Sequence, residues 1–251
     1  LKQNKYDDHP FFQAYADMDR SKRGLEAAGE WHILKEMLPD FKGKKVLDLG
    51  CGFGWHSRYA KEQGAESVIG TDISERMLAQ AKELTDDSGI SYLHQAIEDM
   101  DFSEASMDIV ISSLALHYIE SFDSVCEKVY TILKPGGSFV FSVEHPIFTA
   151  RKEQDWIYDK AGGEPLYWPV DYYQIEGKRE ASFLNEKVIK YHRTVSAFIN
   201  SLIQTGFDIL RVEESVPSEE MLEKVPAMKH ELRRPMFLMI AVEKKEFKAG
   251  K

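Results

Sequence analysis

At Lys45-Val46-Leu47-Asp48-Leu49 a hydrophobic run passes into the turn Gly50-Cys51-Gly52-Phe53-Gly54 and then into a helical stretch ending near Gln63. A strand that turns into a helix through glycines suits an open α/β sheet, because backbone without Cβ atoms can approach a ligand closely at the strand end. The helix start also presents unpaired N–H groups to an anionic or polar ligand atom. The next apolar run, Ser67 to Thr71, ends in Asp72. A carboxylate there can accept hydrogen bonds from both hydroxyls of a ribose. Turn and acid together outline a nucleoside-like ligand. A generic glycine-rich turn, with Asp72 merely capping the next helix, does not explain why strand, turn, helix and acid occur in this order.

The glycine spacing narrows the nucleotide. A dinucleotide fingerprint, G-x-G-x-x-G/A, wants Gly or Ala at position 55, where this chain has Trp55. The observed G-x-G-x-G, with Asp48 two residues upstream, suits a ligand with an amino-acid tail and no pyrophosphate.

Beyond the turn, β-branched runs alternate with amphipathic stretches, the pattern of βαβ units with helices on both faces of a mostly parallel sheet. A helix capped by Ser74 reaches about Leu84, and strands follow at Ile90 to His94, Met107 to Ser112 and Ser138 to Val143. A helix from about Ser121 to Leu133 is broken by Pro135-Gly136-Gly137. A last helix, Arg193 to Gln204, precedes strands near Phe207 to Glu213 and Met236 to Val242, read as an antiparallel pair at one edge of a seven-stranded sheet. Residues 44–251 are expected to form this α/β domain. Residues 1–43, with a helix from about Gly29 to Leu38 after the aromatic and basic stretch Phe11 to Arg23, are expected to form an N-terminal helical cap. Residues 146–192, with Trp156, Tyr158, Tyr167, Trp168, Tyr172, Tyr173 and Phe183 among Pro, Gly and charges, are read as a structureless lid inserted after the fifth strand.

Charge and cysteine usage restrict the partners. With 42 Asp and Glu against 32 Lys and Arg, the net charge of -10 repels a phosphate backbone, so nucleic acid is a poor expectation. Cys51 and Cys126 form neither a metal cluster nor a disulfide framework, which points to a reducing cytoplasm and no metal. No apolar run approaches the roughly 20 residues of a spanning helix, and Leu1 to Pro10 lacks the apolar core of a signal peptide. A soluble protein off the membrane is expected, with a homodimer left open.

Over residues 44–145 the chain resembles the class I S-adenosylmethionine-dependent methyltransferases, in particular the small-molecule group that includes ubiquinone- and biotin-pathway enzymes. The resemblance implies a Rossmann-like fold with S-adenosylmethionine as methyl donor and S-adenosylhomocysteine as product. Val46 to Gly54 is similar to the first family motif, which implies that Gly50, Cys51, Gly52 and Gly54 line the methionine portion. Asp48 then helps hold the ammonium, directly or through water. Gly70-Thr71-Asp72-Ile73-Ser74 resembles the second motif, implying Asp72 on the ribose with Ile73 and Met77 near the adenine. Gln95 to Met100 matches the region where the family contacts the adenine ring, so Ala96, Ile97 and Glu98 carry over. Met107 to Tyr118 resembles the fourth-strand motif, implying that Ser113, Leu114 and His117 border the cofactor. Leu133-Lys134-Pro135-Gly136-Gly137 resembles the turn before the fifth strand. Ser112-Ser113-Leu114-Ala115 departs from the Asn/Asp-Pro-Pro-Tyr/Phe motif of many amide and adenine N-methylating families, which disfavours those acceptors.

Methyl transfer is an in-line displacement, so the site must align the acceptor, exclude water and remove any acceptor proton. His117 and His145, beyond the carboxyl ends of the fourth and fifth strands, are the candidate general bases; structural roles for both stay open. Tyr118, Glu144, Tyr191, His192 and Arg193 are candidate acceptor-binding residues, and Tyr15, Arg20 and Trp31 are candidates to close over the cofactor. The lid aromatics are candidates to cover the acceptor. Competing classes are an NAD-dependent oxidoreductase, which Trp55 disfavours, and a non-enzymatic S-adenosylmethionine-binding regulator.

Overall fold

Burial explains the central strand first. The computed structural model describes residues 2–159 and 163–246, and in it β1 (Lys45–Leu49) has every residue after Lys45 buried. A strand covered on both faces belongs in the middle of a parallel sheet. The strands β2 (Ser67–Asp72), β3 (Ile90–His94), β4 (Met107–Ser113) and β5 (Leu133–Glu144) complete the parallel part. Two short hairpins follow, β6 (Ile157–Tyr158) with β7 (Pro165–Tyr167) and β8 (Gly177–Phe183) with β9 (Glu186–His192). The last strands are β10 (Phe207–Glu214) and β11 (Phe237–Lys244). The main sheet is seven-stranded in the order β10-β11-β5-β4-β1-β2-β3. Its late strands do form an antiparallel pair at one edge, with β11, the reversed strand, lying between β5 and β10.

The helices are α1 (His9–Ala16), α2 (Asp19–Arg23), α3 (Trp31–Met37), α4 (Trp55–Glu62), α5 (Glu75–Glu83), α6 (Phe122–Ile132), α7 (Pro146–Thr149), α8 (Val195–Thr205) and α9 (Glu219–Lys224). The expected cap at Ser74 forms, its side chain accepting from the Met77 N–H. Strand alternation sorts the helices onto two faces. Phe139, Phe141 and Val143 of β5 meet Phe122, Val125 and Val129 of α6 and Phe198 and Leu202 of α8 on one face. Val140 between them points the other way, onto Trp31, Leu34 and Met37 of α3. Ala60 of α4 packs on Val46, Val68, Ile109 and Ile111 of that second face. Trp31 is therefore a core residue of the sheet face and does not close over the cofactor.

The chain runs β1, β2, β3 to one side of the centre and then returns to β4 and β5 on the other. Between β1 and β4 the helices leave in opposite directions, and the crevice this opens beyond the strand ends is the usual ligand position of such sheets.

The segment read as a structureless lid is instead built from α7 and the two hairpins. Its β8–β9 turn is Leu184-Asn185, both at positive φ (53° and 63°), the backbone of a tight two-residue hairpin loop. The alternation of β9 was hidden by its charges: Val188, Lys190 and His192 share the buried face. Phe11 of α1 packs on Ala181 and Val188, so the N-terminal segment and this hairpin hold each other.

Phe141, at the middle of β5 and fully buried, touches Phe122, Phe139 and Phe198. Phe141→Ala is expected to cost about 3–5 kcal/mol of folding stability, read from the shift of the denaturant unfolding midpoint.

Candidate active site

The glycine turn closes through hydrogen bonds to β2. Gly50 and Cys51 N–H both donate to the Thr71 carbonyl, at 2.8 and 2.9 Å, and Gly52 N–H donates to Asp72 Oδ2 at 2.9 Å. Asp72 Oδ1 accepts from Ser74 N–H, also at 2.9 Å. Gly50 and Gly52 have φ of 71° and 52°, where a Cβ is disfavoured. At Gly50 an added Cβ would come 2.5 Å from the Ala115 Cβ, whereas at Gly52 it would meet nothing within 4 Å. The missing side chain of Gly50 permits packing; that of Gly52 leaves room.

That room lies along a cavity of about 390 Å³, within the range of small-molecule sites. Gly50, Gly52, Asp72, Ile73, Met77, Ala96, Ile97 and Glu98 line it from the side of β1, β2 and β3. Ser113, Leu114, His117 and Tyr118 line it after β4, Glu144 from the end of β5, and Tyr15 and Arg20 from the N-terminal helices. A narrower recess continues past Tyr15, Arg20, Gly50, Gly52 and Ser113 towards Trp55 and His56. Leu114 has a φ of 52°, costly for a residue with a branched side chain, and its N–H is held by the Ser142 carbonyl at 2.9 Å. Arg20 donates to Glu30 Oε1 at 3.2 Å, and Ser113 Oγ donates to the same oxygen at 3.3 Å.

Three expected cofactor residues stand behind the cavity wall. Asp48 is buried with its Oδ2 accepting from Ser57 Oγ at 2.6 Å. Burial pushes its carboxyl up to about 7 against the Ser57 hydrogen bond, and the Asp72 charge adds to the rise. The Cys51 side chain packs with Leu78, Ala81 and Tyr92 and reaches only the recess. Gly54 precedes α4 with the Tyr92 hydroxyl packed where a side chain would stand.

The expected bases need correction. His145 is buried, does not line the cavity, and uses both ring nitrogens: Nδ1 accepts from Ile147 N–H at 3.0 Å and Nε2 donates to Glu214 Oε1 at 2.8 Å. It caps α7. His117 does line the cavity, but its Nδ1 accepts from Glu144 N–H at 3.4 Å, which assigns the proton to Nε2. Burial lowers the ring to about 4, so it is neutral at pH 7, with its lone pair committed to the Glu144 N–H and its Nε2–H left as a donor.

The trio Tyr191, His192 and Arg193 also lies outside the cavity wall. Tyr191 donates to Glu120 at 3.5 Å; Arg193 donates to the Ile119 and Glu120 carbonyls, each at 2.6 Å. His192 sits between the Thr149 hydroxyl (2.8 Å) and the Tyr173 carbonyl (2.9 Å). These are loop-tying contacts. Trp156 and Trp168 pack with Phe148 and Arg234, while Tyr158, Tyr167 and Tyr172 are exposed, so of the expected lid aromatics only Phe183 reaches the cavity.

Sequence reasoning passed over Tyr6, Met18, Phe148, Gln154, Lys190 and Phe237, all of which line the cavity. The signal for Lys190 was the period-two pattern of β9, which puts it in register with Val188. Gln154 and Phe237 carried none, because they arrive from loop and reversed-strand positions.

Known proteins share this fold. The methyltransferase-domain family matches residues 47–141. A solved structure from Listeria monocytogenes, assigned as an S-adenosylmethionine-dependent methyltransferase, is 55% identical with a TM-score of 0.84, covering 89% of this chain and 100% of its own. An S-adenosylmethionine-dependent methyltransferase from Mesorhizobium loti is 43% identical with a TM-score of 0.82, covering 88% of this chain and 100% of its own. A malonyl-[acyl-carrier protein] O-methyltransferase of Pectobacterium atrosepticum is 35% identical over 53% of this chain and 50% of its own length. The chain belongs to the class I S-adenosylmethionine-dependent methyltransferases, with the Rossmann-like fold of that class. Among the described residues no helix is long and apolar enough to cross a membrane.

Asp48 yields a test of sign. Its folded value of about 7 lies above the ordinary 3.8, so its contribution to stability is complete below the unfolded value and is lost as pH rises through about 7. Asp48→Asn, which can keep the Ser57 hydrogen bond, is therefore expected to raise the Tm of the unliganded protein. The gain should grow between about pH 4 and 7 and level off above; a gain confined to acid pH in thermal unfolding scans would contradict the assignment.

Proposed function

We propose that this enzyme binds S-adenosylmethionine along the glycine turn and Asp72, and transfers its methyl group to a small-molecule acceptor held at the opposite end of the same cavity. The observation that carries this is the division of the cavity wall. One end is backbone and apolar side chains around Asp72; the other is built by Tyr118, Glu144 and the β8–β9 hairpin. The residues present fit the cofactor: open space at Gly52, an ordered carboxylate at Asp72 for ribose hydroxyls, and apolar Ile73, Met77 and Ile97 for an adenine ring. Glu98 borders the same end. Arg20, beside Ser113 at the recess, suits the methionine carboxylate; Asp48 would act on the ammonium from behind the turn, through water.

When bound, S-adenosylmethionine supplies an electrophilic methyl group on a positively charged sulfur. The protein's work is then alignment and exclusion of water. Tyr6, Tyr15 and Phe183 line the cavity from the N-terminal segment and the hairpin, which we read as a cap (residues 1–43) and a lid (146–192) on the domain of residues 44–251. The net charge of -10 disfavours a nucleic-acid acceptor, and two buried free thiols, Cys51 and Cys126, favour the cytoplasm. Exposed Leu210 and Val212 on edge strand β10 supply a surface through which two copies would pair as a homodimer.

Calorimetric titration with S-adenosylhomocysteine tests the reading, with a Kd on the order of micromolar expected. Asp72→Ala should weaken binding by about tenfold or more, the loss of hydrogen bonds to a charged group. Absence of binding to the wild type would sink the proposal.

A further inference from the structure

The acceptor end of the cavity contains an ion pair whose lysine is buried and whose carboxylate is partly buried. Lys190 is 1% exposed, and its Nζ donates to Glu144 Oε1 at 2.7 Å and to Gln154 Oε1 at 2.8 Å. Gln154 Nε2 in turn donates to Glu144 Oε2 at 3.3 Å. Such a pair is a poor source of stability, because desolvating two charges offsets most of their attraction and apolar residues of the same volume often serve as well. A lysine at an inward position of β9, in register with Val188, points to recognition. Two of its three N–H groups are engaged, which leaves one for an acceptor in the cavity it lines. His117 supplies a second donor, since its Nε2 carries the proton and has no hydrogen-bond partner among the described residues.

Among the described residues, no side chain at this end is poised as a general base. His117 has its lone-pair nitrogen committed to the Glu144 N–H. Burial would raise the Glu144 carboxyl, but the Lys190 ammonium and the hydrogen bonds from Lys190 and Gln154 hold it below the ordinary value. Tyr6 and Tyr118, whose hydroxyls lie 3.4 Å apart, are raised by burial and stay protonated. An acceptor that arrives ionised needs no base.

Resting on the methyltransferase reading above, we propose that the acceptor is a small organic oxyanion, a carboxylate or phenolate, seated on Lys190 Nζ and His117 Nε2–H. Its ionised oxygen attacks the methyl carbon. The new O–C bond forms as the methyl–sulfur bond breaks, the electron pair returns to sulfur, and the charges of oxyanion and sulfonium cancel with no proton moved. Phe148 and Phe183, which also line the cavity, suit a flat unsaturated body.

The test uses protein saturated with S-adenosylhomocysteine and matched probes, benzoate with benzamide and benzylamine, and 4-nitrophenolate with 4-nitroaniline, scored by saturation-transfer NMR. One or both anions should bind in preference to their neutral or cationic counterparts; which one binds distinguishes carboxylate from phenolate. Lys190→Met should weaken anion binding by about tenfold or more, whereas Glu144→Gln, which removes the competing carboxylate, should strengthen it. Opposite signs at two hydrogen-bonded positions are not what misfolding produces. Preference for the amine or amide, anion affinity unchanged in Lys190→Met, or no anion binding to a protein that still takes S-adenosylhomocysteine would each overturn the proposal. Failure to bind S-adenosylhomocysteine at all would instead strike the underlying reading.

Discussion

Everything at the site depends on how the glycine turn is tied to β2. The Thr71 carbonyl accepts two successive turn N–H groups, and the Asp72 carboxylate takes a third from Gly52 and a fourth from Ser74. These bonds fix the turn in a conformation with positive φ, start α4 and α5 at the right places, and hold Asp72 on the cavity wall. A carboxylate ordered by the protein's own backbone loses little freedom when a ribose arrives, which is the meaning of preorganisation in a binding site. The raised value of Asp48 belongs to the same arrangement, because a carboxyl buried behind the turn is poorly solvated until a cation approaches.

The opposite wall follows different physics. There the N-terminal segment and the β8–β9 hairpin have no place in the sheet and stabilise each other through Phe11, Ala181 and Val188. Together they bring Tyr6, Phe183 and Lys190 over the strand ends. The sheet contributes Glu144 from the end of β5 and Phe237 from the start of β11, register partners across the two strands. One wall is thus secured by local backbone hydrogen bonds, the other by contacts between residues far apart in sequence. Enzymes on a shared α/β scaffold vary their substrates through elements of the second kind.

How much could be read in advance divides along the same line. The α/β order, the first turn, Asp72 and the apolar residues after β2 and β3 were legible because each is a local pattern. Periodicity, glycine spacing and a helix cap act within about ten residues of chain. The two histidines show the opposite case. His117 and His145 both follow a strand end, and nothing in their neighbours distinguishes a ring facing the cavity from one that caps a short helix and bonds Glu214 across the sheet. The lid misled for a related reason: its aromatics looked like a ligand cover, but Arg234 gathers Trp156, Trp168 and Phe148 into a packing cluster from a position far along the chain.

By itself, the sequence determined the sheet, the turn that lines the cavity and the methyl donor of the family, because strand, turn and cap preferences are written in neighbouring residues. Only the tertiary structure decided which polar groups meet at the acceptor end. Glu144, Gln154 and Lys190 come from three separate elements, and their hydrogen bonds exist only once β5, the loop after α7 and β9 are packed together. Charge pairing in a cavity is set by distance in space, and sequence separation carries no record of it.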